Sequence, residues 1–527
     1  MFHPVIAPSG TLLGLLQRGR GDGVLHALAE QHAEALAVLE QCVLSDPRRD
    51  WQVEARSLYY ARLYSELEGG LDGIEQHLFH ADDLLDSDEQ RTGLALSVLG
   101  HLAGYGRRDA LRLLRDYTAN GANWAWALDE LALRDDDEEL RALAPAVLAR
   151  FPCTPEGDAA LTRALRETYE RRPWRLWAQD PVHGERVRAA EEQHAFDRWQ
   201  RQLRPAGPAP GWSVHDILNW AQQGLDCYPA QHRDAPAARC LAAVAGPEHR
   251  HELLAAAHGE PEAARAAALR FLADRHAPQD SAVVLDLIEA GAADGSAVVS
   301  RAALESFARI RGTAALERAR AWATREDALG GAAAGVLAIR GTTKDAGRVL
   351  AALRRLVCVT PLPHLKEGGF QPESCGPART DPLRDERKVP QAKEAIPPPA
   401  KAGGPPARGL MAGADAEGLA VLVEGVGRLG IGCATPVVRH IYRETSSSHV
   451  RGCAARALAV TDPSFAQGFA IECLWDCEEA TRELAARHAA TGDVRVLAQL
   501  RRLAADPAEE AEVQTAIRGR LGAKPTR

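Results

Sequence analysis

Short stretches of this chain recur at an interval of thirty-odd residues. Val450-Arg451-Gly452-Cys453-Ala454-Ala455-Arg456-Ala457-Leu458 returns in looser form as Thr481-Arg482-Glu483-Leu484-Ala485-Ala486-Arg487, with the leading arginines 31 positions apart. Ala264-Arg265-Ala266-Ala267-Ala268-Leu269 is echoed by Ser300-Arg301-Ala302-Ala303-Leu304 at an interval of 36. Arg56 and Arg91 are 35 apart, and so are Gly69 and Gly104. A unit of this length holds a helix, a turn and a second helix, and it leaves an apolar face that only the next unit can cover. The expectation is an all-α fold, an α-solenoid of antiparallel helix pairs.

Composition agrees with stacked helices. Hydrophobic residues make up 46% of the 527, yet aromatics only 5%, so alanine and leucine fill the apolar positions and let helices approach closely. The basic residues are almost all arginine, the lysines being Lys344, Lys366, Lys388, Lys393, Lys401 and Lys524. Together with the alanine richness this suggests a GC-rich bacterial genome. A formal net charge of −9 argues against nucleic acid as a partner, since such binders carry a basic excess. No run approaches the ~18 apolar residues of a membrane span. Met1-Phe2-His3-Pro4 does not read as a signal peptide. Ten cysteines scattered over a long chain read as reduced thiols, and a cytoplasmic protein is expected.

Along the chain, residues 1–20 read as an irregular lead-in. Val24, Leu25, Leu28, His32, Leu36 and Leu39 step along one helical face. Helices are expected over Leu58–Leu67, Ile74–Leu85, Trp124–Leu133 and Glu138–Arg150, with glycines after Leu67 and at Gly104 as left-handed caps. Thr154-Pro155-Glu156 opens another. Residues 171–211 depart from the repeat: Trp174, Trp177 and Trp199 fall here, and Glu185 to Leu203 reads as a long polar helix ended by the hinge Pro205-Ala206-Gly207-Pro208-Ala209-Pro210-Gly211. Ser213 and Asp216 form a capping box. Residues 361–410 hold eleven of the 31 prolines and four of the six lysines, and read as a disordered linker. The expected domains are 1–170, 171–211, 212–360, 361–410 and 411–527, with two repeat blocks on either side of the linker.

At Val450–Ala459 and Glu479–Asp493 the pattern of valine, arginine and spaced alanines and leucines resembles bacterial HEAT-like repeats of the phycobilisome-lyase type, and Asp462-Pro463 sits where that family has an inter-helix turn. The resemblance implies a superhelix that grips a protein partner along its concave face. It also brings in an alternative, a HEAT-like DNA glycosylase or a chromophore-lyase-type enzyme.

Candidate chemistry is sparse. Trp174, Arg175 and Trp177, with Arg198, Trp199 and Arg201, interleave cations and aromatics, a combination common at binding hot spots. They are the candidate partner-binding patch, the alternative being that the tryptophans cover a helix packed on the array. Trp124, Trp126 and Asp129 could flank an extruded base, although the acidic run Asp135–Glu139 would repel a phosphate backbone. Cys433, Cys453, Cys473 and Cys477 permit a zinc site, yet no two-residue-gap pair is present and cysteine also fills alanine-type slots. Gly425-Val426-Gly427-Arg428-Leu429-Gly430 looks like a phosphate loop but has no preceding strand and no following lysine–serine pair. No catalytic residue, metal or cofactor is assigned. The expected function is a non-catalytic scaffold with a protein partner.

Overall fold

The computed structural model describes residues 6–47, 55–80, 89–203, 211–275, 280–358 and 414–522. Among them every regular element is helical, and consecutive helices pack antiparallel into an α-solenoid. The expected linker, 361–410, and all but Gly211 of the expected hinge, 205–211, lie outside the described residues.

Local chemistry explains most boundaries. Thr154 accepts from the Gly157 amide with Pro155 in the first turn, and Ser213 and Asp216 close a reciprocal capping box. The expected helix over Glu138–Arg150 is instead two, Asp137–Ala142 and Ala144–Leu148, because Pro145 has no N–H to donate. The face expected from Val24 to Leu39 is likewise divided. Helices Gly21–Ala29 and His32–Leu44 meet at extended Glu30 and Gln31, so that Ala27 and Ala35 both reach the core. The left-handed caps fall on Glu68 and Gly106 rather than at Gly69 and Gly104. The lead-in is not irregular throughout: Leu12–Gln17 is a helix capped by Thr11.

Two hydrophobic cores run through the molecule. One extends from Leu16 to Ala190, takes in Trp174 and Trp177, and is joined by Cys477. The other extends from Val214 to Ile517 without a break at the segment 359–413. The division between bodies therefore falls near residues 191–213. The two expected repeat blocks, 212–360 and 411–527, pack as consecutive units of one body. Helix Ala414–Leu429 lies against both Ala328–Arg340 and Ala346–Cys358.

In this C-terminal body the helices Glu262–Arg275, Ala297–Arg309, Ala328–Arg340, Ala414–Leu429, Ser448–Thr461, Glu479–His488 and Ala511–Gly522 stack each on the next. The alternate helices touch one another far less, so the array bends toward the tight row. Gly425 and Gly427 belong to this row. A Cβ on Gly425 would meet the Ala338 Cβ at 2.4 Å, and one on Gly427 the Ala457 Cα at 3.0 Å. The phosphate-loop look is a helix-packing device. Gly425→Ala should lower the unfolding free energy in urea by about 1–3 kcal/mol through overpacking. Gly418→Ala on the same helix meets open space and should be neutral or slightly stabilising.

The arginine preference also acquires a physical reason. Arg150 donates to the carbonyls of Thr118, Ala119 and Gly121, Arg355 to Ala323 and Thr324, and Arg428 to Leu337, Ala338 and Gly341. Arg340 and Arg520 do the same to Ala308 and Ile310, and to Ala486 and Ala489. Each guanidinium gathers the unpaired C-terminal carbonyls of a helix one unit back. A second series, Arg250–Asp280, Arg320–Asp345 and Arg439–Asp462, pairs two nitrogens with two carboxylate oxygens across a turn. Only a planar fork makes such bidentate contacts.

Candidate functional site: the junction of the two helical bodies

The N-terminal body docks against an edge of the C-terminal body formed by three turns: Glu444–Ser448, Cys473–Glu478 and Asp506–Glu510. Docking starts from a helix cap. Helix Leu12–Gln17 ends at Gly19, whose φ of +65° is the left-handed region glycine favours. The Gly19 and Arg20 amides donate back to the carbonyls of Leu16 and Leu15, a Schellman closure. That turn pushes the Gly19 carbonyl into the other body, where it accepts from the Cys477 amide at 3.0 Å and from Arg451 at 3.3 Å. A Cβ on Gly19 would stand 2.5 Å from the Cys477 Sγ, and one on Gly21 only 1.9 Å from the Glu472 carbonyl oxygen. Both glycines are needed for the approach.

Arginines flank the turn. Arg18 donates to the Glu444 carbonyl at 3.3 Å, and Arg20 donates twice to the Glu472 carboxylate, at 3.0 and 2.8 Å. Ser9 donates to the Glu444 carboxylate at 2.8 Å. Farther along the edge, Arg62 reaches Asp506 at 2.8 Å and Glu509 at 3.2 Å, Tyr105 donates to Asp506, and Arg502 pairs with Glu66. Behind the edge, Arg451 and Asp476 are wholly buried and joined by bonds of 2.7 and 2.9 Å, while Arg482 holds Glu509 from the other side. Burial pushes the Glu472 carboxyl up despite Arg20. Burial acts the same way on Glu509, but Arg482 and Arg62 together hold it below its ordinary value.

His101 lies beside this edge, its Nε2 3.2 Å from the Ser57 Oγ. Burial, with Arg134 and Arg62 nearby, lowers its pKa to about 4. The folded state therefore holds His101 neutral, while the unfolded chain takes up a proton near the ordinary 6.5. Its contribution is complete above that value and is lost as pH falls from 6.5 to 4. The loss should amount to about 2–3 kcal/mol, and His101→Gln should abolish this part of the pH dependence in urea titrations.

The residues singled out from sequence fall elsewhere. Trp174 and Trp177 are 0% exposed and stack edge to face at 4.9 Å, with their indole N–H groups donating to Thr168 and to the Leu140 carbonyl. As members of an exposed recognition patch these two are corrected, because both rings and both polar handles are spent inside the N-terminal core. Arg175 and Arg198 are exposed. The side chains of Trp199 and Arg201 lie outside the described residues. Trp124 continues the aromatic row toward Trp174 and Phe151, and Asp129 accepts the amides of Tyr169 and Glu170 at 3.0 and 2.9 Å. The cysteines have separate partners: Cys453 near Glu424 and His449, Cys473 at 3.2 Å from the Tyr442 hydroxyl, Cys477 at 3.3 Å from Arg451, and Cys433 exposed. Among the described residues no group of three or more His, Cys, Asp or Glu side chains could hold a metal ion. No described helix is long and apolar enough to cross a membrane.

The fold and junction define a class, an α-solenoid of two helical bodies locked edge to edge by arginine–carboxylate pairs. No family model and no curated protein matches the chain.

Proposed function

We propose that this protein is a non-catalytic scaffold of HEAT-like architecture, working in the cytoplasm, that binds a protein partner along the tight, inner row of its C-terminal body. One observation carries the reading. Arg301 and Glu305 on helix Ala297–Arg309, and Glu424, Arg456, Glu483 and Arg487 on Ala414–Leu429, Ser448–Thr461 and Glu479–His488, reach solvent from that row, a mixed-charge strip that skips helix Ala328–Arg340. Such a strip selects partners by complementary charge. The alternative, a base-excision glycosylase, finds less support. Asp129 is occupied by two backbone amides and Trp124 is part of an aromatic stack, so neither is poised around a base. The test is affinity capture from the native host followed by mass spectrometry. A partner retained by the wild type and lost from Glu424→Arg/Arg456→Glu supports the reading. Equal retention by the charge-reversed protein, or salt-sensitive retention of DNA instead of protein, contradicts it.

A further inference from the structure

The junction has the polar centre of a recognition site, with apolar contact where Cys477 and Trp475 meet the N-terminal core. Its centre is a carbonyl from a tight turn, seated between an amide and a buried guanidinium. On its flanks Arg20 and Arg62 of the N-terminal body meet carboxylates of the other, and one pair, Glu66 with Arg502, runs the opposite way. Apolar packing is incomplete, since a small hollow lies between Val24, Tyr59 and Leu63 of one body and Leu474, Trp475 and Leu503 of the other. Interfaces of this polar kind part and re-form more readily than apolar ones. Two features make the edge selective. Gly19 and Gly21 pass where no Cβ fits, and Arg20 finds both Glu472 and, at 5.7 Å, the face of Tyr442.

We propose that the edge bearing Glu444, Glu472 and the Cys477 amide is a docking site for an arginine–glycine–arginine turn, filled in cis by Arg18-Gly19-Arg20 and open to a partner segment of the same chemistry when the bodies separate. This rests on the scaffold reading and gives it a second surface, with the partner's chemistry stated. The cis turn competes with any partner, so affinity in the closed protein is reduced by the fraction that is open.

The probe is a labelled synthetic peptide spanning residues 8–23, titrated into full-length protein. Gly21→Ala sets a methyl group against the Glu472 carbonyl and opens the junction. Arg20→Ala opens it by removing a contact rather than adding an atom. Both should bind the peptide about tenfold or more tightly than the wild type does. Adding Glu472→Arg to either should weaken binding about tenfold or more, as should raised salt. Circular dichroism checks that each variant keeps its helix content. The proposal is overturned if neither opened variant binds the peptide better than wild type, or if Glu472→Arg makes no difference. It is equally overturned if the opened protein dimerises and excludes the peptide, because the occupant is then the N-terminal body of a second copy. None of these failures removes the charged strip on the inner row, which the capture experiment tests separately.

Discussion

Arg451→Ala should destabilise the protein by about 3–5 kcal/mol, because it leaves the carboxylate of Asp476 buried and uncompensated. Both side chains are 0% exposed, and the guanidinium meets the carboxylate with Nε and one terminal nitrogen. The same terminal nitrogen donates to the Gly19 carbonyl, so the substitution also loosens the junction. Arg495 offers the contrast: its pair with Asp493 is solvent-exposed, and Arg495→Ala should leave stability unchanged. A double replacement, Arg451→Met with Asp476→Leu, should recover much of the loss, since apolar pairs of similar volume often substitute for buried ion pairs without penalty. Urea denaturation followed by far-ultraviolet circular dichroism measures all three. A small effect for Arg451→Ala would mean that water reaches the pair.

Trp174→Ala should remove about 3–5 kcal/mol from the N-terminal body, the usual consequence of emptying a large buried aromatic site. The ring is packed against Trp177 and Trp124, and its N–H is bonded to the Thr168 hydroxyl at 2.8 Å. Arg175→Ala, one residue on and exposed, should leave stability unchanged. Calorimetry distinguishes the core role from a recognition role: a core tryptophan moves the melting transition, whereas a recognition tryptophan moves binding and leaves the melt alone.

The repeat architecture was legible because its signal is local. The arginine-led motif at Arg451 and Arg482, the box at Ser213 and Asp216, and the Thr154-Pro155 start all lie within a few residues of what they determine. The junction was not legible, because its partners are distant in sequence: Arg20 and Glu472 are 452 residues apart, and Arg62 and Asp506 are 444 apart. The one local trace was the run Gln17-Arg18-Gly19-Arg20-Gly21, whose alternating glycines signal a close backbone approach without saying to what. Tryptophan and arginine at 174–177 left an exposed patch and a buried cover both open, because burial depends on which face the next helix covers. The proline-rich segment suggested a boundary, yet the units on either side of it share one core. The division between the two cores falls near residues 191–213, where composition also shifts but less visibly.

The two bodies dock through the N-terminal turn seated in the C-terminal edge, and the Cys477 amide reports on this directly. In hydrogen exchange followed by mass spectrometry, the peptide containing residues 473–479 should be protected in the wild type. In Gly21→Ala it should exchange about tenfold or more faster, with helix Ser448–Thr461 still protected. Equal exchange rates in the two proteins would contradict the docking of the two bodies through this turn.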